Sequence, residues 1–209
     1  MSTVKLIAKT EPVGLDLQTK DLVAYIARVS NPSNQMNTES SPRLLKYLRE
    51  NSHWSPFEHV SLTMQITTTR DIARQILRHR SFTFQEFSQR YATANEEPMY
   101  GEARLQDHTN RQNSIDTTDG QLHNLFNRLQ RTQWHSAYTA YQTALAHGVA
   151  KEVARKLLPE GLTCSTIYMT GNLRSWIHYV ELRSGNGTQK EHQEIARKCG
   201  EILEEILNG

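Results

Sequence analysis

Residues 59–80 read HVSLTMQITTTRDIARQILRHR, and two patterns meet inside them. Across residues 59–69 apolar and polar side chains alternate. Val60, Leu62, Met64 and Ile66 share one side, while Ser61, Thr63, Gln65 and Thr67 share the other. A period of two is the mark of a half-buried strand. Residues 71–77 read as a helix, and that helix runs straight into Arg78-His79-Arg80. A strand handing over to a helix, in a chain whose other long patterns are helical, predicts a mixed α/β (α+β) domain. It should be helix-rich, with a small central sheet.

Residues 4–8 read as a first strand upstream. Thr19 is placed to cap a helix over 20–29 that buries Leu22, Val23, Ile26 and Val29. Ser41-Pro42 opens a second helix, with Leu44, Leu45 and Leu48 as its stripe. Downstream, residues 99–119 are polar and patternless, which predicts a long surface loop. Residues 120–146 are helical, with Leu122, Leu125, Phe126 and Leu129 spaced for one face. Residues 149–158 form a further helix ending at Pro159, and 163–169 form a strand or an extended connection. Residues 172–182 place Leu173, Trp176, Ile177 and Val180 inside a helix. The last helix opens on a capping-box pattern, Thr188 and Glu191, with the stripe His192, Ile195, Cys199, Ile202 and Ile206. One domain over 1–209 accommodates all of this.

Composition narrows the function classes. A net charge of +2 over 209 residues supplies no field that would hold DNA or an anionic membrane without a local patch. There is no apolar run near the ~18 residues of a membrane span. The N-terminal residues lack a signal-peptide core, and two cysteines make no disulfide framework or zinc spacing, so a reducing cytoplasm is expected. His53 and His59, with Glu58 between them, have no recognised zinc spacing either, so no metal is expected. A mean hydropathy of −0.65 is low for a monomeric core of this size, and polar or ligand-filled interfaces would account for it.

The chemistry concentrates in residues 78–90, RHRSFTFQEFSQR. Guanidinium forks pair with phosphate through charge-assisted hydrogen bonds, so this cluster suits a bound anion. Glu86 in its midst argues for a hydrogen-bonding ligand and against a purely basic nucleic-acid patch. Gln75 and Arg78 are three apart and share a helix face. Ser88 lacks the Gly-x-Ser-x-Gly elbow of a nucleophile and reads better as a hydrogen-bonding ligand. Arg155, Arg174 and Arg183 form a second basic set, and no Gly-x-Gly-x-x-Gly is present, so a nucleotide would be held by arginines. The competing reading is a single-strand binder using Arg70, Arg74, Arg78, Arg80 and Arg90 with Phe82, Phe84 and Phe87 as stacking platforms.

Arg78-His79-Arg80, then Ser88 after seven residues, resembles the signature of flavin-dependent thymidylate synthases. Ser55-Pro56-Phe57-Glu58-His59, Ala73-Arg74-Gln75, Glu152-Val153-Ala154-Arg155, Asn172-Leu173-Arg174 and Glu181-Leu182-Arg183 resemble further motifs of that family, in order. The resemblance implies reductive methylation of deoxyuridine monophosphate (dUMP) to thymidine monophosphate (dTMP). Methylenetetrahydrofolate would be the carbon donor, with a bound FAD carrying hydride from NADPH. It implies a homotetramer with sites built from several copies, and no nucleic-acid or membrane partner. By position, Arg183 would activate the uracil ring. Gln75, Arg78, Glu86, Phe87, Ser88, Gln89, Arg90 and Arg155, with Arg183 itself, would hold dUMP. Ser55, Arg78, His79, Arg80, Glu86, Asn172, Leu173, Arg174 and His178 would surround FAD, and His53 would face the folate and nicotinamide side. His178 stands where some members have asparagine, and Phe82 and Phe84 are larger than their usual counterparts and would reshape the pocket wall. A diverged flavin oxidoreductase without methyl transfer is the other enzymatic reading.

Overall fold

A computed structural model describes residues 1–94 and 97–208. Its centre is a four-stranded antiparallel sheet with strands β1 (Thr3–Lys9), β2 (Ser61–Thr69), β3 (Thr83–Glu86) and, far along the chain, Cys164–Asn172. The last of these becomes β6 once a small hairpin is counted, β4 (Arg104–Gln106) with β5 (Ser114–Asp116). The sheet order is β1-β2-β6-β3. The alternation read in residues 59–69 is realised in β2: Leu62, Met64 and Ile66 are at most 1% exposed, while Thr63, Gln65 and Thr67 are half-buried. Register carries the same division into β6, where Met64 faces Met169 and Ile66 faces Ile167. On the other face, Thr63 bonds Thr170 at 2.9 Å and Thr67 bonds Thr166 at 3.2 Å through their hydroxyls. Cross-strand threonine pairs of this kind stabilise a sheet face that is not covered by apolar side chains.

The helices are α1 (Thr19–Ala27), α2 (Ser41–Glu50), α3 (Arg70–Ile76), α4 (Gly120–Ala146), α5 (Lys151–Ala154), α6 (Leu173–Arg183) and α7 (Lys190–Asn208). Val23, Leu45, Leu48, Trp176, Ile177, Ile195, Cys199 and Leu203 join the apolar face of the sheet in the main core. A second cluster, Trp134, Tyr141, Ala94, Ala154, Leu158 and Leu162, ties α4 to α5 and to the chain after β3.

Several local expectations are corrected. Residues 99–119 are not a featureless loop, because they contain the β4–β5 hairpin. Thr19 lies inside α1, and its hydroxyl donates to the Thr10 carbonyl at 3.2 Å; the N-cap position is Gln18. Val29 lies beyond the end of α1 and is exposed. The expected 149–158 helix is only the short α5 followed by a 3-10 turn at Arg155–Leu157. The Glu191 carboxylate, read as half of a capping box, accepts from Arg104 at 2.7 Å instead. In α4 the buried residues are Gln130, Trp134, Ala137 and Tyr141, while Leu125, Phe126 and Leu129 face outward. Helical period identifies an apolar stripe, but only packing decides which stripe is used.

Candidate active site

The basic signature is held between two fixed points. Behind it, the α3 backbone continues into two turn bonds, Arg78 N–H to Gln75 O and His79 N–H to Ile76 O. Ahead of it, β3 joins the edge of the sheet, with Glu86 opposite Ile167 and Phe87 N–H on Thr166 O at 2.9 Å. Phe82 clamps the middle. It is buried, its ring centroid lies 4.8 Å from that of Trp176, and it occupies the space beside Gly171 where a Cβ would stand. Phe82 is therefore core and not pocket wall, because the bare Gly171 leaves room for its ring. Arg78 and Arg80 are left exposed, without a carboxylate partner among the described residues.

Folding brings distant residues onto this segment. Arg183, at the end of α6, directs Nε to His79 Nε2 at 2.9 Å. That bond requires an unprotonated Nε2, and the His79 pKa is lowered by burial first and by the Arg183 charge second. The terminal nitrogens of Arg183 make no hydrogen bond among the described residues. Gln75 lies on the same side, 2.8 Å from Gln189 and 3.3 Å from His192, and His192 also meets the Tyr179 hydroxyl at 3.1 Å. Sequence reading gave no sign that His192 and Tyr179 reach Gln75. It showed only a histidine inside an apolar helical stripe, a group that needs partners once buried.

Glu86 accepts from the Ser165 hydroxyl at 2.8 Å and pairs with Arg70 at 3.3 Å. The next residues turn back on themselves, with Tyr91 and Ala92 N–H on Ser88 O. Phe87 and Ser88 are exposed, whereas Gln89 is 3% exposed and its amide nitrogen has no partner among the described residues. Arg90 pairs with Glu152 at 3.5 Å, and Arg155 Nε donates to the Glu152 carbonyl at 3.3 Å. Lys151 donates to Tyr91 O at 3.0 Å, and Ala94 N–H donates to the buried Tyr141 hydroxyl at 3.1 Å. These contacts gather Ser88, Gln89, Arg90 and Arg155 into one region.

The remaining candidates lie elsewhere. His53, Ser55 and Arg174 line a cleft of about 570 Å³ together with Trp54 and Pro56. Arg174 pairs with Glu58, and the His178 ring lies 4.5 Å from that of Trp54. Asn172 accepts from Ser175 N–H at 2.9 Å and caps α6, while the Leu173 side chain is fully buried and its backbone N–H donates to Val60 O at 2.8 Å. Arg174 and Arg183 sit nine residues apart on α6, a rise of about 14 Å at ~1.5 Å per residue. One chain therefore does not bring all the candidates together. His79, and the signature around it, meets Arg183, whereas His53, Ser55 and Arg174 lie toward the other end of the helix, and His178 stands at its midpoint between Trp54 and Glu181.

The charge pattern weakens the single-strand reading, since Arg70, Arg74 and Arg90 are paired with Glu86, Glu160 and Glu152 and Phe82 is buried. Neither thiol is poised as a nucleophile: burial pushes the pKa of both Cys164 and Cys199 up. Among the described residues no helix is long and apolar enough to cross a membrane.

Comparison with known proteins identifies the family. A sequence profile of the family described as thymidylate synthase complementing protein matches residues 8–207. A probable flavin-dependent thymidylate synthase of Paramecium bursaria Chlorella virus 1 is 49% identical over 202 residues, covering 96% of this chain and 93% of the relative. A flavin-dependent thymidylate synthase of Synechocystis sp. is 50% identical over 204 residues, with the same coverage of 96% and 93%. The crystal structure of a UMP/dUMP methylase, PolB from Streptomyces cacaoi, bound with 5-Br dUMP, superposes with a TM-score of 0.84 at 27% identity. It covers 99% of this chain and 91% of that one.

Proposed function

This chain belongs to the family of flavin-dependent thymidylate synthases, and we propose that the cluster around Arg183 and His79 is where it methylates dUMP. The reaction is the reductive methylation of dUMP to dTMP, with methylenetetrahydrofolate giving the carbon and NADPH the reducing equivalents. When bound, FAD supplies the hydride chemistry of the reduction.

The residues present fit a nucleotide and a dinucleotide cofactor. Arg78, Arg80, Arg155 and Arg183 have no carboxylate partner among the described residues, so their charge is available to anions. Arg78, His79, Arg80, Ser55, Arg174 and His178 would hold FAD, with Glu86, Asn172 and Leu173, and His53 would face the folate and nicotinamide side. Gln75, Arg78, Glu86, Phe87, Ser88, Gln89, Arg90 and Arg155, with Arg183 itself, would hold dUMP.

The observation that carries this reading is the contact between Arg183 and His79, which joins motifs separated by 104 residues. Uracil carbon 5 is a poor nucleophile and needs electron density pushed onto it. A thiolate could push it, but both thiols here are held protonated by burial. A guanidinium at the pyrimidine edge does the task differently, by stabilising negative charge as it develops on the ring. Such a donor is worth roughly 3–4 kcal/mol. His79, neutral and fixed, accepts the Nε proton and orients the fork while leaving its terminal nitrogens for the ring.

Because the candidates divide between the two ends of α6, we propose that complete sites form between copies, in a homotetramer of one-domain chains (1–209) working in the cytoplasm. The low mean hydropathy and the outward Leu125, Phe126 and Leu129 support association.

The test is anaerobic. The purified protein is reduced with NADPH and mixed with methylenetetrahydrofolate, with and without dUMP. Flavin reoxidation that requires dUMP and yields dTMP is the expected result. A flavin that reduces but stays reduced would favour an oxidoreductase without methyl transfer, and a protein that takes up no FAD would overturn the reading.

A further inference from the structure

A polar chain, buried at Tyr179 and His192 and half-buried at Gln75, runs from α6 through α7 to α3. His192 is fully buried near the start of α7, in a stripe otherwise made of Ile195, Cys199 and Leu203. Its Nδ1 lies 3.3 Å from Gln75 Oε1, and its Nε2 lies 3.1 Å from the Tyr179 hydroxyl. The Gln75 amide nitrogen lies 2.8 Å from Gln189 Oε1.

Proton accounting gives this chain a direction. A buried phenol must donate its proton to some acceptor. Among the described residues, His192 Nε2 is the hydrogen-bond partner of the Tyr179 hydroxyl, and burial keeps that hydroxyl in its protonated form. Tyr179 is thus the donor and Nε2 the acceptor. The imidazole is neutral, because burial, then Arg183 and His79, lower its pKa to about 4. Its one proton therefore sits on Nδ1 and goes to Gln75 Oε1. The amide of Gln75 is left with its oxygen on His192, its nitrogen on Gln189, and one N–H still free.

We infer that Tyr179 and His192 are positioning residues that lock the Gln75 amide so that it offers an N–H, and not a carbonyl, to a ring carbonyl of the bound pyrimidine. The inference rests on the dUMP reading above and assigns a role to two residues that touch no ligand themselves.

Two substitutions separate positioning from packing. Asparagine places an amide nitrogen where imidazole Nδ1 stands, so His192→Asn retains the donor to Gln75. Glutamine reaches only the Nε2 position, so His192→Gln retains the Tyr179 contact and loses the one to Gln75. Calorimetric titration of the oxidised holoenzyme with dUMP should give a Kd within about twofold of the parent for His192→Asn. For His192→Gln the Kd should rise about tenfold, with KM rising alike and kcat within about threefold. Equal affinities for the two variants would overturn the inference, as would losses that track their melting temperatures. If His192→Gln does not fold, Tyr179→Phe takes its place. It frees the tautomer and should raise the dUMP Kd by about threefold, and an unchanged Kd would sink the idea. Absence of dTMP formation by the parent protein is a separate outcome that strikes the functional reading instead.

Discussion

Arg183→Ala tests the chemistry most directly. The substitution removes a guanidinium fixed through Nε at 2.9 Å from His79, with terminal nitrogens that no described side chain occupies. The arginines proposed to capture dUMP in the ground state, Arg78, Arg90 and Arg155, are untouched, so the loss should fall mainly on kcat. Removing one donor to charge that develops in the transition state costs roughly 3–4 kcal/mol, or about 10²–10³ in rate. Flavin content should be unchanged. A second readout is independent of turnover. The His79 pKa is held below its ordinary 6.5 by burial first and by the Arg183 charge second. Without the cation, burial alone remains, so the midpoint of His79 moves upward while staying below 6.5. Single-turnover dTMP formation measures the first effect, and pH titration of isotope-labelled histidines by NMR measures the second. Full turnover in the variant would refute the role of Arg183, and an unmoved His79 midpoint would refute the electrostatic coupling. Arg183→Lys keeps the charge but lacks the Nε–H that meets His79, so it should fall between the parent and the alanine variant.

Gly171→Ala would place a Cβ 2.4 Å from one Phe82 ring carbon and 2.6 Å from another. Overpacking a buried ring of this kind costs ~1–3 kcal/mol, a drop of several degrees in Tm, and an unchanged Tm would contradict the clamp. His192 links stability to pH. Its folded pKa of about 4 lies below its ordinary 6.5, so the unfolded chain binds the proton more readily between these values. Stability from this group is present above pH 6.5 and is lost as pH falls toward 4, by at most ~3 kcal/mol. Urea midpoints at pH 7 and pH 4.5 should show the loss, and His192→Asn should reduce it. Asp119 caps α4 by accepting from Gln121 and Leu122 N–H at 2.8 and 3.1 Å. Asp119→Ala should cost about 1 kcal/mol and speed amide exchange in the first turn of α4; unchanged exchange there would remove the cap from the account.

The main strand of the fold was legible because its apolar side chains recur with the period of the backbone itself. Leu62, Met64 and Ile66 point one way in any strand, and a sheet with one buried face accepts only that register. Ser41-Pro42 marked the start of α2, and Cys199 was legible as core. The β4–β5 hairpin was not, since its strands have three residues each and one apolar residue apiece, Leu105 and Ile115, too few to set a period. Nor was the buried stripe of α4, where two stripes compete and packing on Ala154, Leu158 and Leu162 selects the one with Trp134 and Tyr141.

The same boundary runs through the site. Residue types and motif order in the sequence alone were enough to point to an arginine-lined nucleotide site and to the family. Partnership belongs to the tertiary structure. Which arginines are neutralised by Glu86, Glu152 and Glu160, and that Arg183 meets His79 while Arg174 sits at the other end of α6, depend on contacts between residues far apart in the chain. Charge and hydrogen-bonding capacity are properties of a side chain and can be read in order. Whether they are spent on a neighbour or left for a ligand is settled by distances of a few ångströms, and only the folded chain sets those.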